Sequence, residues 1–154
     1  MGQQQLLLLV LATVIVGIAT VVGIQAFSQN NVKSNADAML NDAVRIASDA
    51  QAWAQKGSPF GGPESYADFT ELTTLNQLGY QTDGPNGGYE TLNGECILED
   101  AASPVIRCTN ATLNNEVTAT IDNTVDNGLS DDAITGTVVR LGVAAATGGT
   151  GDGG

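Results

Sequence analysis

The sequence predicts an α+β fold: a long N-terminal α-helix, hydrophobic and then amphipathic, packed on a small antiparallel β-sheet. Three observations carry that expectation. No charged side chain occurs from Met1 to Val32, so all 17 acidic and 5 basic residues lie beyond it. From Asn35 to Gln55 apolar residues recur at helical spacing without Gly or Pro. After Gly57 the composition shifts to Gly, Asn, Thr and Asp, broken by short apolar stretches that read as strands.

Leu6 to Ile24 is an unbroken run of 19 Leu, Val, Ile, Ala, Gly and Thr residues. At about 1.5 Å per residue it reaches roughly 28 Å, close to the hydrocarbon thickness of a bilayer. A soluble helix of that length would show a polar face, and this one has none. A cleaved export signal would start with Lys or Arg and carry a shorter core. Here the start is Met1-Gly2-Gln3-Gln4-Gln5, and Ile24-Gln25-Ala26 is a poor cleavage site.

Behind the run, Met39, Ala43, Ile46, Ala50 and Trp53 repeat at intervals of four and three, flanked by Leu40, Val44, Ala47 and Ala54. Asp37, Asn41, Asp42, Arg45, Ser48, Asp49 and Lys56 stand off that stripe, and Gly57-Ser58-Pro59 supplies the stop. The two halves together predict a rod of about 50 residues, or roughly 75–80 Å. A rod so long cannot bury itself in a domain of about 100 residues, so its outer half needs lipid or other copies of the chain. The expected segments are 1–33, hydrophobic; 34–57, its amphipathic continuation; 58–146, a globular β-rich head; and 147–154, a Gly-rich tail with no side chains to build a core.

Within the head, Ser58–Pro63 reads as a turn cluster. Asp68-Phe69-Thr70-Glu71 has the form of a capping box before a short helix from Thr70 to Leu78, with Leu72, Leu75 and Leu78 as its apolar edge and Gly79 as its stop. Asp83 to Gly88 is a loop. Gly88–Leu92 and Glu95–Glu99 are expected strands around Asn93-Gly94, a two-residue hairpin signal in which both residues take positive φ. Further strands are expected at Val105–Thr109, Val117–Ile121 and Ile134–Leu141, the last with a bulge at Gly136. Only 23 of the 97 residues after Gly57 are large and apolar, a thin core that the amphipathic half of the helix would complete. Cys96 and Cys108 fall on neighbouring expected strands, and an export segment implies an oxidising compartment, so a disulfide is expected.

A hydrophobic N-terminal segment fused to an amphipathic half and a small β-rich, disulfide-bearing domain resembles type IV pilins and their pilin-like relatives. The resemblance covers the whole chain in layout, with its residue-level support in roughly the first 55 positions. It implies a lollipop-shaped subunit, held in the inner or cytoplasmic membrane and then extracted by an assembly machinery into an extracellular filament of bundled helices. The assembly core would be Gln5, Leu6, Leu7, Leu8, Leu9, Val10, Leu11, Val14, Ile15, Val16, Ile18, Val21, Val22 and Ile24. Gly17 and Gly23 are either close-contact positions between helices or, as the resemblance implies, the place where the helix melts in the assembled filament. Two features depart from the family. Gln5 stands where its members carry a glutamate that neutralises a neighbour's terminal amine, and a leader ending in Gly is not evident. Either Gly2 closes a very short leader and the mature chain starts at Gln3, or a leader precedes Met1. The glutamine-rich start also resembles archaeal-type pilins. Two further functions fit the same layout: a minor pseudopilin of a secretion or DNA-uptake machine, and a single-pass membrane-anchored extracytoplasmic binding module.

Other chemistry has little to build on. A net charge of −12 and no His argue against nucleic acid as a partner and against His-based catalysis, so no enzyme and no obligatory cofactor is expected. The acidic stretch holding Asp122, Asp126, Asp131 and Asp132 offers oxygen ligands for calcium, but its spacing fails the EF-hand pattern and a solvated turn is the simpler reading. Asn110-Ala111-Thr112 is an N-glycosylation-type triplet. Glu95, Glu99 and Asp100 read as strand-end carboxylates that solvate a surface.

Overall fold

A computed structural model describes residues 2–65, 68–100, 104–122, 125–126, 129–130 and 134–142. One helix, α1 (Gly2–Ala54), is followed by 3-10 turns at Ser58–Phe60 and Leu75–Leu78. The strands are β1 (Tyr89–Glu90), β2 (Glu95–Asp100), β3 (Val105–Asn110), β4 (Asn115–Ile121), β5 (Val125–Asp126), β6 (Leu129–Ser130) and β7 (Ile134–Arg140). The chain divides into two compact units, Met1–Ser34 and Asn35–Gly154, and α1 contributes to both.

In the first unit α1 is unbroken, including Gly17 to Gly23. Leu predominates over its first turns, and an uninterrupted i to i−4 ladder satisfies the main chain internally. By length and composition the helix is able to cross a membrane.

In the second unit the helical stripe is buried as its periodicity predicts. Ala36, Met39, Ala43, Ile46, Ala47, Ala50, Trp53 and Ala54 are inaccessible, with Leu40 and Val44 half-buried at the margin. The stripe packs on a five-stranded antiparallel sheet of order β1-β2-β3-β4-β7, while β5 and β6 pair separately as a short hairpin. β4 shows the two-residue alternation of a strand covered on one face: Asn115, Val117, Ala119 and Ile121 are buried, and Glu116, Thr118 and Thr120 are half-exposed. Phe69, Leu72 and Leu75, from the segment between helix and sheet, join the same core. Cys96 and Cys108 lie directly opposite each other on β2 and β3 and form a buried disulfide.

Several local expectations are corrected. No helix runs from Thr70 to Leu78. The Asp68 carboxylate accepts the Thr70 N–H at 2.9 Å and its hydroxyl at 2.7 Å, closing an isolated turn. Gln77 Oε1 then accepts the N–H groups of Thr73 and Thr74 at 2.7 and 3.1 Å, so regular structure starts only at Leu75. Gly79 is the stop, in the left-handed region at φ 90°. β1 has two residues, not five, because Thr91 leaves the ladder and Leu92 is fully exposed. Neither Asn93 nor Gly94 has positive φ. The β1–β2 connection is instead the four residues Thr91–Gly94, in which the Thr91 N–H and hydroxyl both donate to the Gly94 carbonyl at 2.8 Å. Gly94 is needed for proximity: a Cβ there would lie 2.5 Å from the Thr109 carbonyl oxygen.

Gly136 pairs in register with Ala119 and forms no bulge. The irregularity falls at Val139, since Val117 pairs with Val138 while Glu116 pairs with Arg140. Gly136 serves helix–sheet packing, because a Cβ there would meet Leu40 Cδ1 at 2.8 Å. The Gly-rich tail from 147 onward lies outside the described residues.

An amide network secures the start of this unit. Asn35 Nδ2 donates to the Asn93 carbonyl at 3.0 Å, and Asn115 Nδ2 donates to Asn35 Oδ1 at 2.9 Å. The Gly142 N–H donates to Asn115 Oδ1 at 2.8 Å, and Asn93 Nδ2 reaches back to Asp42 at 2.9 Å. Buried amides leave few options other than mutual pairing, and here the pairing ties α1, the β1–β2 connection, β4 and the end of β7 together. Opening the disulfide by a Cys96→Ala, Cys108→Ala double substitution is expected to lower stability by about 3 kcal/mol, by loop-closure entropy. Urea unfolding of the full chain in detergent, followed by Trp53 fluorescence, measures it.

Candidate functional site

The most unusual surface belongs to the first unit. Every large apolar side chain from Leu6 to Ile24 is at least half exposed, from 51% at Val10 to 71% at Ile24, and Phe27 adds another at 70%. Gln5 is exposed beside them. The only hydroxyls within the run are internally spent: Thr13 donates to the Val10 carbonyl and Thr20 to the Gly17 carbonyl, both at 2.8 Å. Such back-bonding removes the need for water, so the whole segment is suited to an apolar medium. The contribution of Thr13 and Thr20 was not anticipated from sequence, although Thr in an apolar helix is the signal for it. At Gly17 and Gly23 an added Cβ would meet nothing within 4 Å. No described residue therefore requires glycine there, and each costs about 1 kcal/mol of helix propensity against Ala.

The second unit carries an open cleft of about 620 Å³. Its lining comes from α1 (Asp42, Arg45 and Ile46), the segment before β1 (Tyr80, Gln81 and Asp83), and β1 with its turn (Tyr89 to Asn93). The rings of Tyr80 and Tyr89 lie 4.7 Å apart, tilted by 54°. Partial burial, together with the Asp49 carboxylate that accepts the Tyr80 hydroxyl, pushes the phenol up to about 12. No short sequence pattern marks the cleft, because its lining spans positions 42 to 93.

Beside it, Glu95 corrects the expectation of a surface-solvating carboxylate. It is 9% exposed and clasps the preceding loop. Oε1 accepts the Asn86 N–H at 2.8 Å and the Gly88 N–H at 3.0 Å, and Oε2 accepts the Asn86 side-chain amide. Burial alone would raise its pKa, but the donors from Asn86 and Gly88 outweigh it and hold the carboxyl below its ordinary value. Glu99 and Asp100 are exposed, and Glu99 pairs with Arg107 on the outer sheet face.

The remaining sequence candidates do not converge on a site. Asp122 is exposed, and Asp126 lies in β5, whose pairing with β6 places a short hairpin where a plain turn was expected. Asp131 and Asp132 lie outside the described residues, and no metal-holding group of three His, Cys, Asp or Glu occurs among the described ones. The Asn110 amide is engaged twice: Nδ2 donates to the Asn93 carbonyl at 2.6 Å, and Oδ1 accepts the Leu113 N–H at 3.0 Å.

No protein-family model, curated protein or solved structure matches this chain.

Glu95→Ala deprives three N–H donors of a charged acceptor and is expected to destabilise the chain by about 2–3 kcal/mol. Because the folded carboxyl ionises below its ordinary value of about 4.5, its contribution is complete above that value and lost as pH falls through the folded one. Acid titration of unfolding midpoints should therefore show a larger low-pH loss in the wild type than in Glu95→Ala.

Proposed function

We propose that this chain is a structural subunit of an extracellular pilus-like filament, held in a membrane before assembly and polymerising through bundled N-terminal helices. The observation that carries the reading is the exposed apolar surface from Leu6 to Ile24, which has no cover among the described residues and no unsatisfied hydroxyl. Burying one Val, Leu or Ile is worth about 1.5–3 kcal/mol, so even half-burial of this segment against other copies contributes on the order of 10–20 kcal/mol. That exceeds what a single surface ion pair adds, so cohesion does not require a glutamate where Gln5 stands. Gly17 and Gly23 fit the same reading. Glycines that serve no contact within the subunit suit close approach by a neighbouring helix, or local unwinding once lipid is left behind. The net charge of −12 keeps such filaments soluble and mutually repelling, with bundling promoted by salt.

A single-pass membrane-anchored module is the second reading, favoured by a helix long enough to span a bilayer. Negative-stain microscopy of material sheared from cells, with N-terminal sequencing of the protein in it, separates the two. Filaments built of this chain with the apolar segment retained are expected; monomers confined to detergent extracts would favour the anchor. A Gly17→Ala, Gly23→Ala double variant should be at least as helical as wild type in micelles by circular dichroism. The same variant is expected to form fewer filaments, counted on grids.

A further inference from the structure

The cleft on the second unit is not used by the filament reading, and its chemistry is selective. Asp42, Asp83 and Glu90 contribute three carboxylates against the single guanidinium of Arg45, while the half-buried Tyr80 and Tyr89 contribute aromatic lining. Asp42 is oriented by the Asn93 amide, and no basic nitrogen lies within ion-pair distance of any of the three carboxylates among the described residues. Aromatic lining beside carboxylates suits an ammonium on a slim alkyl stem, the stem against the rings' apolar surface and the charge toward the acids.

The chain has five basic side chains. Arg45 lines the cleft itself, and Arg107 and Arg140 are committed to Glu99 and Glu116 on the outer sheet face. Lys33 and Lys56 are left, both exposed and without an ion pair among the described residues. Lys33 is the only charged side chain in the first 36 residues. It stands about 14 Å along α1 from Ile24, so packing the apolar segments of several copies together brings it close to neighbouring copies. Lys56 instead follows the end of α1 at Ala54, 32 residues beyond the apolar run.

We propose that the cleft of one copy receives the Lys33 ammonium of a second copy. The inference rests on the filament reading and adds to it a register between subunits, which an uncharged apolar core does not supply. Donor and receptor are different patches of the chain, so the contact is heterologous, the kind that propagates along a filament when the rotation between copies does not close a ring.

Zero-length carbodiimide coupling on sheared filaments of the full chain, read by peptide mass spectrometry, tests the contact directly. Filaments mixed from isotope-labelled and unlabelled cells identify links between copies. Lys33 joined to Asp42, Asp83 or Glu90 of another copy is expected. Lys33→Glu should cut filament yield roughly tenfold or more, the loss of a charge-assisted contact replaced by repulsion, whereas Lys33→Arg keeps it. Adding Asp83→Lys and Glu90→Lys to Lys33→Glu should restore assembly, which a misfolded variant could not do. Links from Lys56 alone, or normal yield from Lys33→Glu, would overturn this contact and leave the filament reading standing. A wild-type chain that forms no filaments would remove both.

Discussion

Apolar surface that no described residue covers sets the terms for everything else in this protein. A helix in water normally buries its hydrophobic stripe against its own fold, and the second half of α1 does so on the antiparallel sheet. The first half does not, and its side chains are apolar all the way round. The same element therefore answers to two solvents, one supplied by the sheet and the other by something outside the chain. Hydroxyls turned back onto the helix and the absence of charge before Lys33 are both consequences of that demand.

The body meets a different difficulty, which is how to hold a sheet with few large side chains. It uses small residues to bring helix and sheet close, as at Gly136 beneath Leu40, and polar clasps where apolar contact is scarce. Glu95 organises a loop by accepting three N–H groups, and four asparagines share their amides across segments distant in sequence. These are directional interactions. They lend uniqueness to a core whose hydrophobic content alone would be permissive.

Periodicity made α1 and its buried face legible, since Met39, Ala43, Ile46, Ala50 and Trp53 can share a face only in a helix. Short apolar stretches made β3, β4 and β7 legible, and the disulfide followed from the neighbouring strands that carry Cys96 and Cys108. What escaped were features decided by tertiary proximity. Asn93-Gly94 resembles a tight hairpin turn, yet the Thr91 side chain and the approach of the Thr109 backbone select a wider connection. Thr70 to Leu78 resembles a helix, yet Gln77 diverts the N–H groups that would have continued it. Of the candidate sites, the uncovered segment was visible from its composition, whereas the tyrosine-lined cleft exists only once α1 and β1 have met.

The amides around Asn35 have a mechanical side. Tension drawn along α1 enters the body at the residue whose side chain grips both the β1–β2 connection and β4, so several segments bear the pull together. Should those grips fail, the strands could begin to peel, but the Cys96–Cys108 bridge fences off the stretch between them. Its sequence separation of 12 withholds roughly 40 Å of contour from any extension. An oxidised body is thus a shorter tether than its length in residues suggests.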